Sequence, residues 1–123
     1  MLKTIQTPVS GDVDITITIP EGVTSISNSA FDGCEALTSV VIPDTVTLIG
    51  RDAFLNCYNL TSVSIGANVT TIRDDAFWGC RNLRNLTFEG TTAQWNAVSL
   101  GETWVGGVPA TDIICSDGSV PLF

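Results

Sequence analysis

The sequence predicts a parallel β-solenoid, a coil of stacked 23-residue turns. Three observations predict it. Apolar residues recur at a fixed 23-residue step in seven columns, and an eighth column of cysteine shares their register. Neither the helical period of about 3.6 nor a simple strand alternation runs through the unit, so the periodicity lies between turns and not within one element. The composition is that of a packed chain, 44% hydrophobic and 15% charged, the reverse of a disordered one.

Taken in order, the chain opens with Met1 to Gln6, which carry neither an apolar run nor a small-residue cleavage site and so do not form a secretory signal. No stretch approaches the roughly 20 apolar residues of a membrane span. The expectation is a cytosolic protein or a piece of a longer chain. Ile15-Thr16-Ile17-Thr18-Ile19 alternates like a strand and begins the stack. Its free edge should be paired by a hairpin through Ser10-Gly11 or by an upstream repeat. One domain, 1–123, divides into a starting strand and cap (1–18), three repeats (19–41, 42–64 and 65–87) and a C-terminal cap (88–123).

The columns are Ile19, Ile42, Ile65 and Phe88; Val23, Val46 and Val69; Ile26, Ile49 and Ile72; Ala30, Ala53 and Ala76; Phe31, Phe54 and Phe77; Cys34, Cys57 and Cys80; Leu37, Leu60 and Leu83; Val40, Val63 and Leu86. One turn cannot bury these residues alone, because its core is one residue thick. Stacking puts like over like about 4.8 Å apart. Leu37 to Pro43 reads as a strand with Val40 and Ile42 inward, Ser39 and Val41 outward, and Pro43 ending the ladder for want of an N–H. Asn28 to Gly33 reads as a tight turn or short 3-10 segment.

The tail reads as a cap. Thr91 with Gln94 three residues on is a capping box opening a short helix. Trp95, Val98, Leu100 and Trp104 supply an apolar cover, Asp112 to Cys115 a final strand, and Asp117-Gly118 a turn.

The pattern L-T-S-V-x-I-P-x-x-V-T-x-I-x-x-x-A-F-x-x-C resembles the BspA-type leucine-rich repeat of bacterial and protist surface proteins, over roughly residues 15–88. The asparagine that would ladder the loop of the commoner repeat is missing, with Pro43 or Gly66 near its place. The resemblance implies a leucine-rich-repeat solenoid, mainly β, with one short helix in its cap. It implies an interaction module at an extracellular or cell-surface location, of adhesin type.

Catalysis finds little support in the residues. Histidine is absent, which removes the commonest general base and metal ligand near neutral pH. A Ser–Lys dyad would depend on Lys3 near the terminus. The cysteines sit one per turn, without the close local spacing of structural zinc. The turn spacing falls in the Cα window of a disulfide, but parallel inward Cβ vectors fit the dihedral poorly. Buried reduced thiols are expected, with Cys115 the most exposed. Asp12 with Asp14, Asp32 with Glu35, and Asp74 with Asp75 read as solvated rim charge, since glycosidase chemistry needs two carboxyls facing one cleft. No EF-hand loop occurs. Asn59, Asn68 and Asn85 head N-x-[ST] triplets by coincidence with the repeat's threonines. No metal or cofactor is implied.

Thirteen acidic against five basic residues, a net charge of -8, argue against direct nucleic-acid binding. The outward strand columns, Thr16, Ser39, Ser62, Asn85 and Thr18, Val41, Ser64, Thr87, are small and mostly polar. They form the candidate site for a protein or glycan partner, on a monomer or an edge-paired dimer. Val41 and Asn85 break the regularity an ice-binding threonine face would need. The function expected is a non-enzymatic binding scaffold. The alternative is a small intracellular inhibitor or adaptor, of the kind a phage or mobile element encodes, acting through its acidic surface.

Overall fold

The computed structural model describes residues 15–123. The two pairings expected for residues 1–14 lie outside the described residues. Among the described residues the chain forms a parallel β-solenoid of about four turns, built from two parallel ladders and a third line of turn-to-turn bonds. The long sheet runs β1 (Ile15–Thr18), β3 (Leu37–Ile42), β5 (Ser62–Ile65), β7 (Asn85–Phe88), β9 (Asp112–Cys115) and β10 (Gly118–Pro121). All neighbours are parallel except β9 and β10, which close the sheet as an antiparallel hairpin. The short sheet is made of two-residue strands, β2 (Ser25–Ile26), β4 (Leu48–Ile49), β6 (Thr71–Ile72) and β8 (Ser99–Leu100).

Register follows the repeat step. Val40 pairs with Val63 and Val63 with Leu86, Ile42 with Ile65 and Ile65 with Phe88, and Ile26, Ile49 and Ile72 line up in the short sheet. Every column residue from Val40 to Leu86 is buried. Ala30, in the first turn, is exposed, whereas Ala53 and Ala76 are buried.

The segments between the sheets are turns that bond to the turn beside them. Phe31 N–H donates to Ala53 O at 2.7 Å, Phe54 N–H to Ala76 O at 2.7 Å and Phe77 N–H to Trp104 O at 2.7 Å. Each such turn holds two left-handed residues. Ser29, Asp52, Asp75 and Thr103 form one column (φ 60°, 57°, 58° and 51°), and Gly33, Asn56, Gly79 and Gly107 the other (φ 70°, 56°, 78° and 79°). This conformation costs an ordinary L-residue roughly 1–2 kcal/mol, and Asp and Asn tolerate it best. Gly50 meets another constraint: a Cβ there would lie 2.7 Å from Asn28 N and Ile26 O, so the two turns touch backbone to backbone.

The segment read as a cap contains a fourth turn. Residues 99–115 continue all three ladders: β8 pairs with β6, Trp104 takes the bond from Phe77, and Ile114 pairs with Thr87. The capping box is present, Gln94 N–H to Thr91 Oγ1 at 3.1 Å and Thr91 N–H to Gln94 Oε1 at 2.8 Å, and opens α1 (Thr92–Asn96). Asp117 Oδ1 also accepts Thr92 N–H at 2.7 Å, tying the helix to the hairpin. Trp95, Val98 and Trp104 are buried as expected; Leu100 is not, being 41% exposed where Ile72, its partner, is fully covered. The strand at Asp112–Cys115 is not the last, because the turn at 116–117 returns the chain as β10.

The rings of Phe31, Phe54 and Phe77 stack nearly parallel, with centroids 5.0 Å apart and interplanar angles of 5° and 3°. Trp104 ends this row edge-on to Phe77 at 6.2 Å. The cysteines run beside it. Cys57 Sγ donates to Phe31 O at 3.1 Å and Cys80 Sγ to Phe54 O at 3.0 Å, so each buried thiol binds a carbonyl of the turn before it. All four cysteines are free. The expected order of exposure is reversed: Cys115 is buried, as the inward residue after Phe88 in the stack, and Cys34, in the first turn, is half-buried.

Two outcomes follow from this core. Phe54→Ala removes a ring held on both sides and should cost about 3–5 kcal/mol in urea denaturation, more than Phe31→Ala at the end of the row. The adjacent Cys80 thiol and burial push the Cys57 thiol well above its ordinary 9.0. Burial and Cys57 raise Cys34 as well. Because the native values of Cys57 and Cys34 lie above the unfolded one, their stabilisation is complete below about pH 9 and drains as the pH rises further; Cys80, which the Cys57 thiol holds below its ordinary value, opposes this in part. The denaturation midpoint should therefore fall above pH 9, and Cys57→Ala should flatten that fall.

Candidate functional site

The outward face of the long sheet is assembled by strand alternation. Thr16, Ser39, Ser62 and Asn85 align in register on β1, β3, β5 and β7, and Thr18, Val41, Ser64 and Thr87 form the next column. All eight candidate residues therefore share one face. Thr16, Thr18, Val41 and Asn85 are exposed, and Ser39, Ser62, Ser64 and Thr87 are half-buried by their neighbours. Val41 is 39% exposed. Ser64 Oγ donates to Glu89 Oε2 at 3.1 Å, so a carboxylate borders the face at its third strand.

Sequence reasoning missed one member. Ile114 extends the Thr18 column beyond Thr87 and is 50% exposed. Beside it a depression of about 230 Å³ is lined by Thr87, Phe88, Glu89, Ile114, Cys115 and Ser116. The signal was the alternation in Asp112–Cys115, hidden because the fourth turn is longer than the other three. The turn side carries a second exposed group. Arg81 lies 4.2 Å over the Tyr58 ring, and Trp78, 43% exposed, packs against Gly106 so closely that a Cβ there would not fit.

The remaining candidates have structural tasks. Asp74 Oδ1 accepts Glu102 N–H at 2.9 Å, and Asp75 accepts the Thr103 hydroxyl, so this acid pair clamps the fourth turn to the third. Asp32 and Glu35 are exposed; Asp12 and Asp14 lie outside the described residues. Asn59 Nδ2 donates to Glu35 O and Asn82 Nδ2 to Tyr58 O, each at 2.6 Å, and Asn68 Nδ2 donates to Asp44 O at 3.0 Å. An asparagine ladder therefore exists, at a position other than that of the commoner repeat. Glycan attachment at Asn59 or Asn68 would remove such a donor, whereas Asn85 is open on the strand face. Thr38 and Thr61 hydroxyls donate to Ile15 O and Thr38 O, at 2.9 and 3.1 Å, and Thr47 and Thr70 to Thr24 O and Thr47 O, at 3.3 and 3.2 Å. No helix among the described residues is long and apolar enough to cross a membrane.

What remains uncommitted by packing is thus a polar strand face with apolar points at Val41 and Ile114. It holds no paired acid and base facing one cleft.

Comparison with known proteins bears on the fold and the family. The chain is similar to a leucine-rich repeat protein from Bacteroides ovatus, at 26% identity and a TM-score of 0.65, over 82% of this chain and 30% of that one. It thus spans about 30% of that relative's length. A leucine rich cell surface protein from Faecalibacterium prausnitzii is 28% identical over 68% of this chain and 34% of its own, with a TM-score of 0.39. A leucine-rich repeat protein of T. pallidum is 20% identical over 84% and 81%, with a TM-score of 0.37. Among curated proteins none matches significantly. Residues 14–103 match the BspA type leucine rich repeat region, in which the fold is generally a protein-interaction scaffold without enzymatic chemistry. The chain belongs to the BspA-type leucine-rich-repeat family.

Proposed function

We propose that this chain is a protein-binding segment of a cell-surface array, of adhesin type, and that it grips its partner with the outward face of the long sheet. The observation that carries the reading is the division of labour in the repeat. The apolar columns and the cysteines are engaged in the core, and the ladder threonines and asparagines in bonds between turns. The strand face is an ordered surface left over by both. The surface setting rests on the family resemblance.

Magnitude bears on how such a face would work. Six strands about 4.8 Å apart and about four residues long present roughly 300 Å². A standard interface takes about 800 Å² from each partner. A partner bound tightly here must also reach the rim or neighbouring turns. Binding by several turns of a longer array would raise its strength by avidity.

The triple variant Ser39→Glu, Ser62→Glu, Asn85→Glu tests the reading, because it charges the face without touching a core column. Capture of a partner from cell-surface extracts should be lost in this variant and in Ile114→Glu. It should persist in Trp78→Ala, with thermal midpoints unchanged in all three. Retention by the triple variant and loss by Trp78→Ala would move the site to the turn side.

A further inference from the structure

The short sheet ends differently from the long one. The long sheet finishes on β10, whose Pro121 has no N–H to offer another strand. The short sheet finishes on β8, and among the described residues nothing pairs with its outer edge. Ser99 N–H donates to Thr70 O at 2.9 Å and Gly101 N–H to Ile72 O at 2.7 Å, so both face β6. Strand alternation then points the N–H and C=O of Leu100 outward along the free edge.

The same residue is the uncovered end of a core column. Ile26, Ile49 and Ile72 are at most 1% exposed, whereas Leu100, in register after Ile72, is 41% exposed. It lacks the aliphatic neighbour that every earlier member of its column has. Beside this edge lies a depression of about 240 Å³, whose lining includes Arg51, Arg73, Thr71 and Ser99. In a chain of five basic residues and net charge -8, two arginines line this one place. Asp74 shares the lining, but its Oδ1 is engaged by Glu102 N–H.

We propose that the β8 edge is a peptide-binding site, taking an extended acidic segment of a partner protein as a fifth strand of the short ladder. The incoming strand accepts and donates at Leu100. It sets an aliphatic side chain over the Leu100 side chain and turns its flanking carboxylates toward Arg51 and Arg73. This is strand addition, in which main-chain bonds give affinity and alternate side chains give specificity. A second copy stacked end to end is the poorer occupant. It would have to cover β10 as well, where Pro121 interrupts the donors, whereas a single peptide strand engages β8 alone. Arg51 and Arg73 complement the charge of an acidic segment there.

Two fluorescein-labelled peptides test the site by anisotropy, acetyl-Thr-Glu-Ile-Glu-Thr-amide and its lysine counterpart acetyl-Thr-Lys-Ile-Lys-Thr-amide. The acidic peptide should bind the natural chain more tightly. Leu100→Glu should weaken it about tenfold, a loss typical of a truncated anchor, and Leu100→Ala by less. Both act on an exposed side chain, and a thermal midpoint within a degree or two of the parent's verifies the fold. The double variant Arg51→Glu, Arg73→Glu should reverse the preference toward the lysine peptide; only side chains change, since the bonds of both residues within the ladder are made by backbone. Equal binding of both peptides, binding indifferent to Leu100→Glu, or no binding to the natural chain would overturn the proposal. So would self-association of the natural chain that Leu100→Glu abolishes, which would identify the occupant as a second copy.

Discussion

The axial bond between equivalent backbone positions of successive turns is the constraint on which everything else depends. One turn has no interior. Its strand, short strand and tight turn acquire partners only when the next coil presents the same groups at the same height. The hydrogen bonds of Phe31, Phe54 and Phe77 to the following turn, and the thiol bonds of Cys57 and Cys80 to the preceding one, express that dependence in opposite directions. Side chains obey it too. The near-parallel stacking of the phenyl rings at 5.0 Å follows the coil spacing. Where the coil ends, Trp104 returns to an edge-on approach.

Polar groups are sorted by the same rule. Hydroxyls of Thr38, Thr47, Thr61 and Thr70 and amides of Asn59 and Asn82 satisfy carbonyls one coil away. On the outward strand face only Thr87 makes such a bond, its hydroxyl donating to Val63 O at 3.4 Å, among the described residues. That is why the strand face and the β8 edge stand apart: one is a surface the ladder does not consume, the other a place where the ladder stops.

How much of this was legible in the sequence depended on whether a position repeats. Val40, Val63 and Leu86, or Cys34, Cys57 and Cys80, carry one chemical type at one step, so column, burial and register could be read together. The eight strand-face residues followed from alternation about those columns. The fourth turn was opaque because Thr87 pairs with Ile114 across a longer interval and Trp104 stands where the repeat has Ala76. Its exposed members, Ile114 and Leu100, were lost with it. The left-handed residues were hidden for another reason: Ser29, Asp52 and Asp75 share a conformation without sharing an identity. The asparagine bonds were missed because Asn59 and Asn82 lie outside the apolar pattern that revealed the repeat.

The extra length of the fourth turn falls in and around α1, between Phe88 and Ser99, while its contacts with the third turn keep the positions used lower in the stack. The capping segment therefore reads side chains of the third turn, Asp74 and Asp75, as well as its backbone. Recombination that adds or removes a whole repeat upstream leaves those groups unchanged. The number of coils below the third turn is thus set independently of how the stack is closed.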